Sequence, residues 1–189
     1  YLLGRDRLLD EMDIKPGEHV LEAGCGTARN LIILAKRHPQ AHFYGLDASA
    51  AMLETAQAKV DAAGVKNITL KTALADDFRF DSTFHLAKPF DKIFFSYSIS
   101  MIPPWRESIE NALQNLNPGG SLFIVDFYDQ RDLPRAFARF LKWWLSKFHV
   151  THWEGLMPFL ESQEISRRFE VRIEPLYRRY SFLARLRSI

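Results

Sequence analysis

Glu22, Gly24 and Gly26 sit at the end of a short apolar run, Val20-Leu-Glu-Ala-Gly-Cys-Gly-Thr-Ala-Arg-Asn30. A strand that stops at an acid and turns through two glycines into a helix is how a parallel α/β sheet builds a nucleoside site. Glycine takes backbone angles forbidden to other residues, and its missing Cβ lets a ligand approach the main chain. Two ligands fit such a turn, a nicotinamide dinucleotide and S-adenosylmethionine (SAM). The dinucleotide fingerprint asks for a third glycine where Arg29 stands, and a branched cation there obstructs pyrophosphate on the helix N-terminus. SAM has no phosphate, and Glu22 attracts its ammonium and sulfonium. The pattern favours SAM over nicotinamide, and over a tight turn whose glycines serve packing alone.

Asp47 closes the next apolar run and lies close to the spacing at which nucleotide-binding sheets place an acid for ribose hydroxyls. Leu74-Ala-Asp-Asp77 follows the third run, where adenine is expected: Leu74 to cover the ring, Asp76 or Asp77 to accept from the exocyclic amine. Ser96-Tyr-Ser-Ile-Ser-Met-Ile-Pro-Pro104 follows the fourth. In an open α/β sheet the first and fourth strands flank the crevice, which turns Tyr97 toward the reacting atoms. Methyl transfer from a sulfonium is an in-line displacement, accelerated mainly by positioning. Tyr97 is the candidate catalytic residue, a hydrogen-bond acceptor able to aim the attacking group. A buried tyrosine satisfied by a backbone carbonyl is the competing reading for Tyr97.

These residues require alternating strands and helices. Periodicity predicts a helix over 1–13, strands over 20–23, 41–46, 67–73, 90–96 and 121–127, and helices starting at Thr27, Ser49 and Trp105. Asn117-Pro-Gly-Gly120 reads as a turn, and 78–89 as either a packed lid or a loop tied down by Phe78, Phe80 and Phe84. Segments 169–176 and 180–186 read as a strand pair joined by Tyr177-Arg-Arg179. Five strand–helix alternations imply a parallel doubly wound sheet. The stretch 132–148 has an apolar face opposite Arg135, Arg139, Lys142 and Ser146, which suits either a lipid headgroup layer or the cover of a sheet.

The 189 residues are 47% apolar, enough for one domain with a substantial core. A single cysteine, Cys25, excludes an internal disulfide and points to a reducing compartment, with the cytoplasm as default. Residues 1–130 hold 13 Lys and Arg against 17 Asp and Glu, whereas 131–189 hold 12 against 6, so the carboxyl portion faces an anionic partner if its charge is used. A non-enzymatic nucleic-acid-binding module is the rival from another class, and the scatter of the basic residues without a nucleic-acid motif counts against it.

With these motifs in place, the chain resembles class I SAM-dependent methyltransferases over most of its length. A closer similarity, to the N-methyltransferases that convert diacylglyceryl homoserine to its trimethylated betaine lipid, lies in Tyr1-Leu-Leu-Gly-Arg-Asp-Arg7, Gly24 to Asn30, Ser96 to Pro103, Val125-Asp-Phe127 and Phe148-His-Val-Thr151. The resemblance implies a single domain over 1–189, with residues 1–15 over the site, 131–189 closing it, and a seven-stranded sheet whose last strand is antiparallel. It implies SAM as cofactor and no metal, with Glu22, Gly24 and Gly26 around the methionine part, Asp47 on the ribose, and Ala23, Ala48 and Met52 also binding the cofactor. Leu74, Ala75 and Asp76 belong to the adenine, Ser96 to the cofactor, and Tyr1, Arg5, Tyr128 and His149 to the substrate. It further implies a lipid substrate met at the inner membrane face, with Arg167, Arg168, Arg178 and Arg179 able to meet headgroups. Ala28 replaces a common third glycine, a methyl small enough to fit, and Leu74 replaces a common adenine-binding acid, which passes the base to a backbone amide near Ala75. A soluble amine or a quinone-type carbon is the alternative acceptor.

Overall fold

The apolar runs that alternate with amphipathic segments become a seven-stranded sheet in a computed structural model that describes residues 3–132, 151 and 153–189. The strands are β1 (His19–Ala23), β2 (His42–Asp47), β3 (Ile68–Thr72), β4 (Phe90–Ser96), β5 (Leu116–Phe127), β6 (Phe169–Leu176) and β7 (Ser181–Ser188). Their order is β3-β2-β1-β4-β5-β7-β6, with β7 antiparallel to both neighbours and the other pairings parallel. The order reverses between β2 and β4, so a crevice opens beside the carboxyl ends of β1 and β4.

Helices cover both faces. On one side α1 (Arg5–Glu11), α2 (Arg29–Arg37) and α3 (Ala50–Ala63) bury Leu8, Leu31, Leu34, Ala56 and Val60 against Val20, Phe43 and Phe123. On the other, α4 (Trp105–Gln114), α5 (Leu156–Leu160) and α6 (Gln163–Ser166) pack with Phe78, Phe84 and Phe90. Gly45 permits the close approach of α2, since a Cβ there would lie 2.7 Å from Leu31 Cδ1 and 2.8 Å from Cys25 Sγ. Gly45→Ala is therefore expected to destabilise the fold by about 1–3 kcal/mol through overpacking, read as a lowered urea midpoint.

Several sequence expectations change in detail. The first helix is shorter than 1–13, beginning at Arg5 after Gly4, which takes a left-handed conformation with φ 98°. Asn117 to Gly120 does not end the α4 connection but lies within β5: Phe90 pairs with Leu116 and Lys92 with Ser121, so the strand bulges over these four residues. The 78–89 connection is packed, because Asn111 Nδ2 donates to the Ala75 and Phe78 carbonyls and Asn115 takes the Phe80 amide. Asn111 of α4 and Asn115, its C-cap, thereby fix part of the stretch expected to meet adenine and the connection that follows it. The hairpin turn is as read, with Tyr177, Arg178 and Arg179 all at positive φ. Arg179, expected to meet headgroups, instead forms an ion pair with Asp129 and lies 4.2 Å from the Tyr128 ring centroid. The amphipathic stretch 132–148, apart from Asp132, together with Tyr1 and His149, lies outside the described residues.

Candidate active site

The crevice at the switch point is a cleft of about 730 Å³. Glu22, Gly24 and Gly26 enter it from the end of β1, Asp47, Ala48 and Met52 from β2 and the start of α3, and Leu74, Ala75 and Asp76 from beyond β3. Ser96 and Tyr97 come from β4, and Arg5 from the start of α1.

Two expected residues stand elsewhere. Ala23 is fully buried and its carbonyl accepts from Ser98 Oγ at 2.9 Å, so it supports the turn without lining the cleft. Tyr128 lines a neighbouring cavity of about 530 Å³ with Asp126, Asp129 and Trp153, because it follows the end of β5 beneath Arg179.

The glycine turn is held by two backbone bonds, Gly24 and Cys25 both donating to the Leu46 carbonyl at 2.9 Å. Gly24 has φ 74°, and a Cβ there would lie 2.6 Å from Ser98 Cβ. Its small size thus serves Ser98, whereas a Cβ on Gly26 would meet nothing within 4 Å, so that glycine is required for its positive φ. Ala28 is left-handed too, at φ 59°. Room for its methyl is only part of the matter, since the backbone strain costs on the order of 1 kcal/mol.

Asp47 is ordered before any ligand arrives: Oδ2 accepts the Gly26 amide at 2.8 Å and Oδ1 the Ser49 amide at 2.9 Å. Each oxygen keeps a further lone pair for a hydroxyl. Glu22 is 2% exposed, with Oε1 taking Asn30 Nδ2 at 2.6 Å and Oε2 without a partner among the described residues. Burial pushes its carboxyl up to about 8, against the opposing pull of Asn30 and Arg5. Asn30 was not singled out in the sequence. A polar residue one turn into a helix that follows a strand-end acid was the available signal.

Tyr97 is 6% exposed, and its hydroxyl donates to the Leu3 carbonyl. The carbonyl-satisfied reading thus holds for its proton, while the phenol oxygen retains acceptor capacity. Burial raises its pKa beyond the physiological range, so the group stays neutral. Beside it, Phe127 and Tyr180 complete an aromatic wall, with ring centroids 4.8 Å apart for Tyr97 and Phe127 and 5.6 Å for Phe127 and Tyr180. Neither Phe127 nor Tyr180 was anticipated, because they reach the cleft from β5 and the hairpin turn.

These residues fit SAM. An orphaned carboxylate oxygen suits an ammonium, a doubly anchored aspartate suits paired hydroxyls, and Met52 and Leu74, each about half exposed at 48% and 56%, form an apolar rim for a flat ring.

The comparisons agree with this geometry. Residues 14–164 match the sequence profile of a methyltransferase-domain family. A demethylmenaquinone methyltransferase of Listeria welshimeri is 28% identical over 123 residues, 65% of this chain and 50% of the relative. One from Symbiobacterium thermophilum is 25% identical over 174 residues, 90% of this chain and 61% of the relative. The chain thus spans about half the length of the first of these relatives. Among solved structures, a SAM-dependent methyltransferase from Aquifex aeolicus superposes with a TM-score of 0.67 at 19% identity, covering 100% of this chain and 91% of that one. A Streptococcus mutans protein solved in complex with SAH gives 0.65 at 18%, covering 99% and 96%. The family match over 14–164 and the seven-stranded fold together establish that the chain belongs to the class I SAM-dependent methyltransferases.

Proposed function

We propose that this domain methylates the amine of diacylglyceryl homoserine, giving its trimethylated betaine lipid. The observation that carries this reading is the aromatic wall of Tyr97, Phe127 and Tyr180 in the same cleft as Glu22 and Asp47. Aromatic rings attract, through their quadrupoles, the alkylated ammonium that forms as the methyl group is transferred.

When bound, SAM supplies a methyl group made electrophilic by its sulfonium. The chain's own residues then have three tasks. Asp47 fixes the ribose end and Glu22 the methionine end. Tyr97 positions the acceptor: with its O–H donating to the Leu3 carbonyl, the phenol oxygen accepts an N–H and aims the lone pair in the first two transfers, while the neutral nitrogen still carries a hydrogen. A phenol kept neutral by burial is no base, so the nitrogen loses its proton to water before the cleft closes. Tyr97→Phe is therefore expected to lower kcat by roughly tenfold or more while leaving affinity for SAH within about twofold. Equal losses in both would make Tyr97 a cofactor residue.

A second reading, methylation of a quinone carbon, is favoured by the demethylmenaquinone methyltransferases among the relatives. Either acceptor is lipid-borne. Each acyl methylene returned to water costs about 0.8 kcal/mol, so the protein must work at the bilayer surface. Surface attachment is the proposed mode, and among the described residues no helix is long and apolar enough to cross a membrane. Labelled methyl transfer from SAM into vesicles containing diacylglyceryl homoserine, or demethylmenaquinone, tests both readings. Label in the homoserine lipid alone supports the first, and label in the quinone alone replaces it.

A further inference from the structure

The cavity of about 530 Å³ beside the cofactor cleft shares Phe127 with it and holds a carboxylate that methyl transfer leaves unused. Asp126, at the end of β5, is 1% exposed, with Oδ2 accepting the Ser100 amide at 2.9 Å and Oδ1 the Phe127 amide at 2.7 Å. These bonds anchor the group, and each oxygen keeps a further lone pair. Burial pushes the carboxyl up to about 6, against the pull of the two amides, so at pH 7.5 it carries its charge.

That charge has no ion-pair partner among the described residues. Arg179 and Arg131, the cations of the cavity wall, are both taken by Asp129. Ser100 Oγ lines the same cavity close enough to oppose the shift of Asp126, yet it makes no hydrogen bond of good geometry among the described residues. A buried charge left unpaired is costly and a buried hydroxyl left unbonded adds to the cost, so together they describe what enters. A metal ion fits poorly, because among the described residues no three His, Cys, Asp or Glu side chains gather to hold one. An anion is repelled, and a neutral alcohol leaves the charge uncompensated. An ammonium satisfies both groups, its N–H bonds pointing to Asp126 and Ser100 Oγ. Trp153, fixed by its Nε1 on the Ile99 carbonyl at 2.9 Å, adds an indole ring that attracts a cation.

We infer that the Asp126 cavity is a binding site for an organic ammonium, separate from the cofactor cleft, where the protonated head of the acceptor docks before reaction. The nitrogen held there does not react. It gives its proton to water on leaving, passes Phe127 and reaches Tyr97 as the neutral amine. The inference rests on the proposed function only for the source of the amine, since a soluble amine offers the same chemistry.

The test is calorimetry at pH 7.5 on the full chain saturated with SAH, comparing benzylamine, which is protonated there, with benzyl alcohol, its neutral counterpart. Benzylamine is expected to bind roughly tenfold or more tightly than the alcohol, a comparison that needs no variant. Asp126→Asn should weaken benzylamine roughly tenfold and Ser100→Ala about threefold. SAH affinity should stay within about twofold in both, since neither residue lines the cofactor cleft, and this also reports that each variant is folded. Equal binding of amine and alcohol overturns the site, as does amine binding that survives Asp126→Asn but is lost in Tyr97→Phe. Kinetics with diacylglyceryl homoserine then name the source. If the site loads the acceptor, Asp126→Asn raises KM roughly tenfold and leaves kcat within about twofold. An unchanged KM gives the site to a soluble amine and overturns the docking step. Methylation of the lipid by a chain that does not prefer benzylamine removes the site and leaves the proposed function standing. A preference for benzylamine in a chain that does not methylate the lipid does the reverse.

Discussion

Asp47→Ala is expected to weaken SAH binding by about 2 kcal/mol or more, roughly thirtyfold, because two hydroxyls lose one charged acceptor. The structure sharpens this expectation. Asp47 also fastens the Gly26 amide and the Ser49 amide, so its removal frees one donor of the glycine turn and one at the start of α3. Part of the loss is therefore disorder of the turn. Asp47→Asn separates the contributions, since its amide oxygen can keep one backbone bond but accepts more weakly from hydroxyls. The loss should appear equally with 5′-methylthioadenosine, which lacks the amino acid but retains the ribose. Calorimetry on folded variants reads both. Undiminished affinity in Asp47→Ala would remove Asp47 from the cofactor site.

What the sequence disclosed was local. Glu22, Gly26 and Asp47 could be placed because a strand end, a glycine turn and a second strand end are each written within a few residues, and the sheet brings the three together by topology alone. The hairpin was legible for the same reason, two alternating runs around Tyr177 to Arg179. What escaped was contact between distant segments. Asn111 and Asn115 read as ordinary polar helix positions, and only the fold shows them gripping Ala75, Phe78 and Phe80. Gly24 looked like a ligand contact, yet the atom it makes room for belongs to Ser98, 74 residues later. The bulge in β5 was hidden because Asn-Pro-Gly-Gly is turn chemistry wherever it occurs, and a bulge uses that chemistry too. A sequence names groups that can hydrogen-bond. It does not say which of them, such as Arg5 Nε, are left without a partner among the described residues.

The affinity for SAH is expected to rise with pH between 6 and 8, and Glu22 is the reason. In the free protein burial holds its carboxyl at about 8, well above the ordinary 4.5, so at pH 6 the group is protonated. An ammonium requires the carboxylate, so binding below pH 8 must release that proton, and affinity should grow by nearly tenfold per pH unit until the group ionises unaided. The neighbours do not blur the window. Cys25 and Tyr97 are pushed further up by burial and stay neutral, while Arg5 stays charged. The free protein should follow the opposite course. Its folded state binds the Glu22 proton more tightly than the unfolded chain does, so this contribution to stability declines as pH rises from about 4.5 to 8 and is lost above. Glu22→Gln should therefore raise the thermal midpoint of the free protein at pH 8, because a neutral amide replaces a buried charge and can still face Asn30. It should also flatten the pH dependence of SAH binding at a low affinity. Calorimetry at pH 6.5 in two buffers of different ionisation enthalpy counts the proton directly: close to one released by the wild type, none by Glu22→Gln. Equal counts in the two proteins would show that Glu22 is not the group that meets the ammonium.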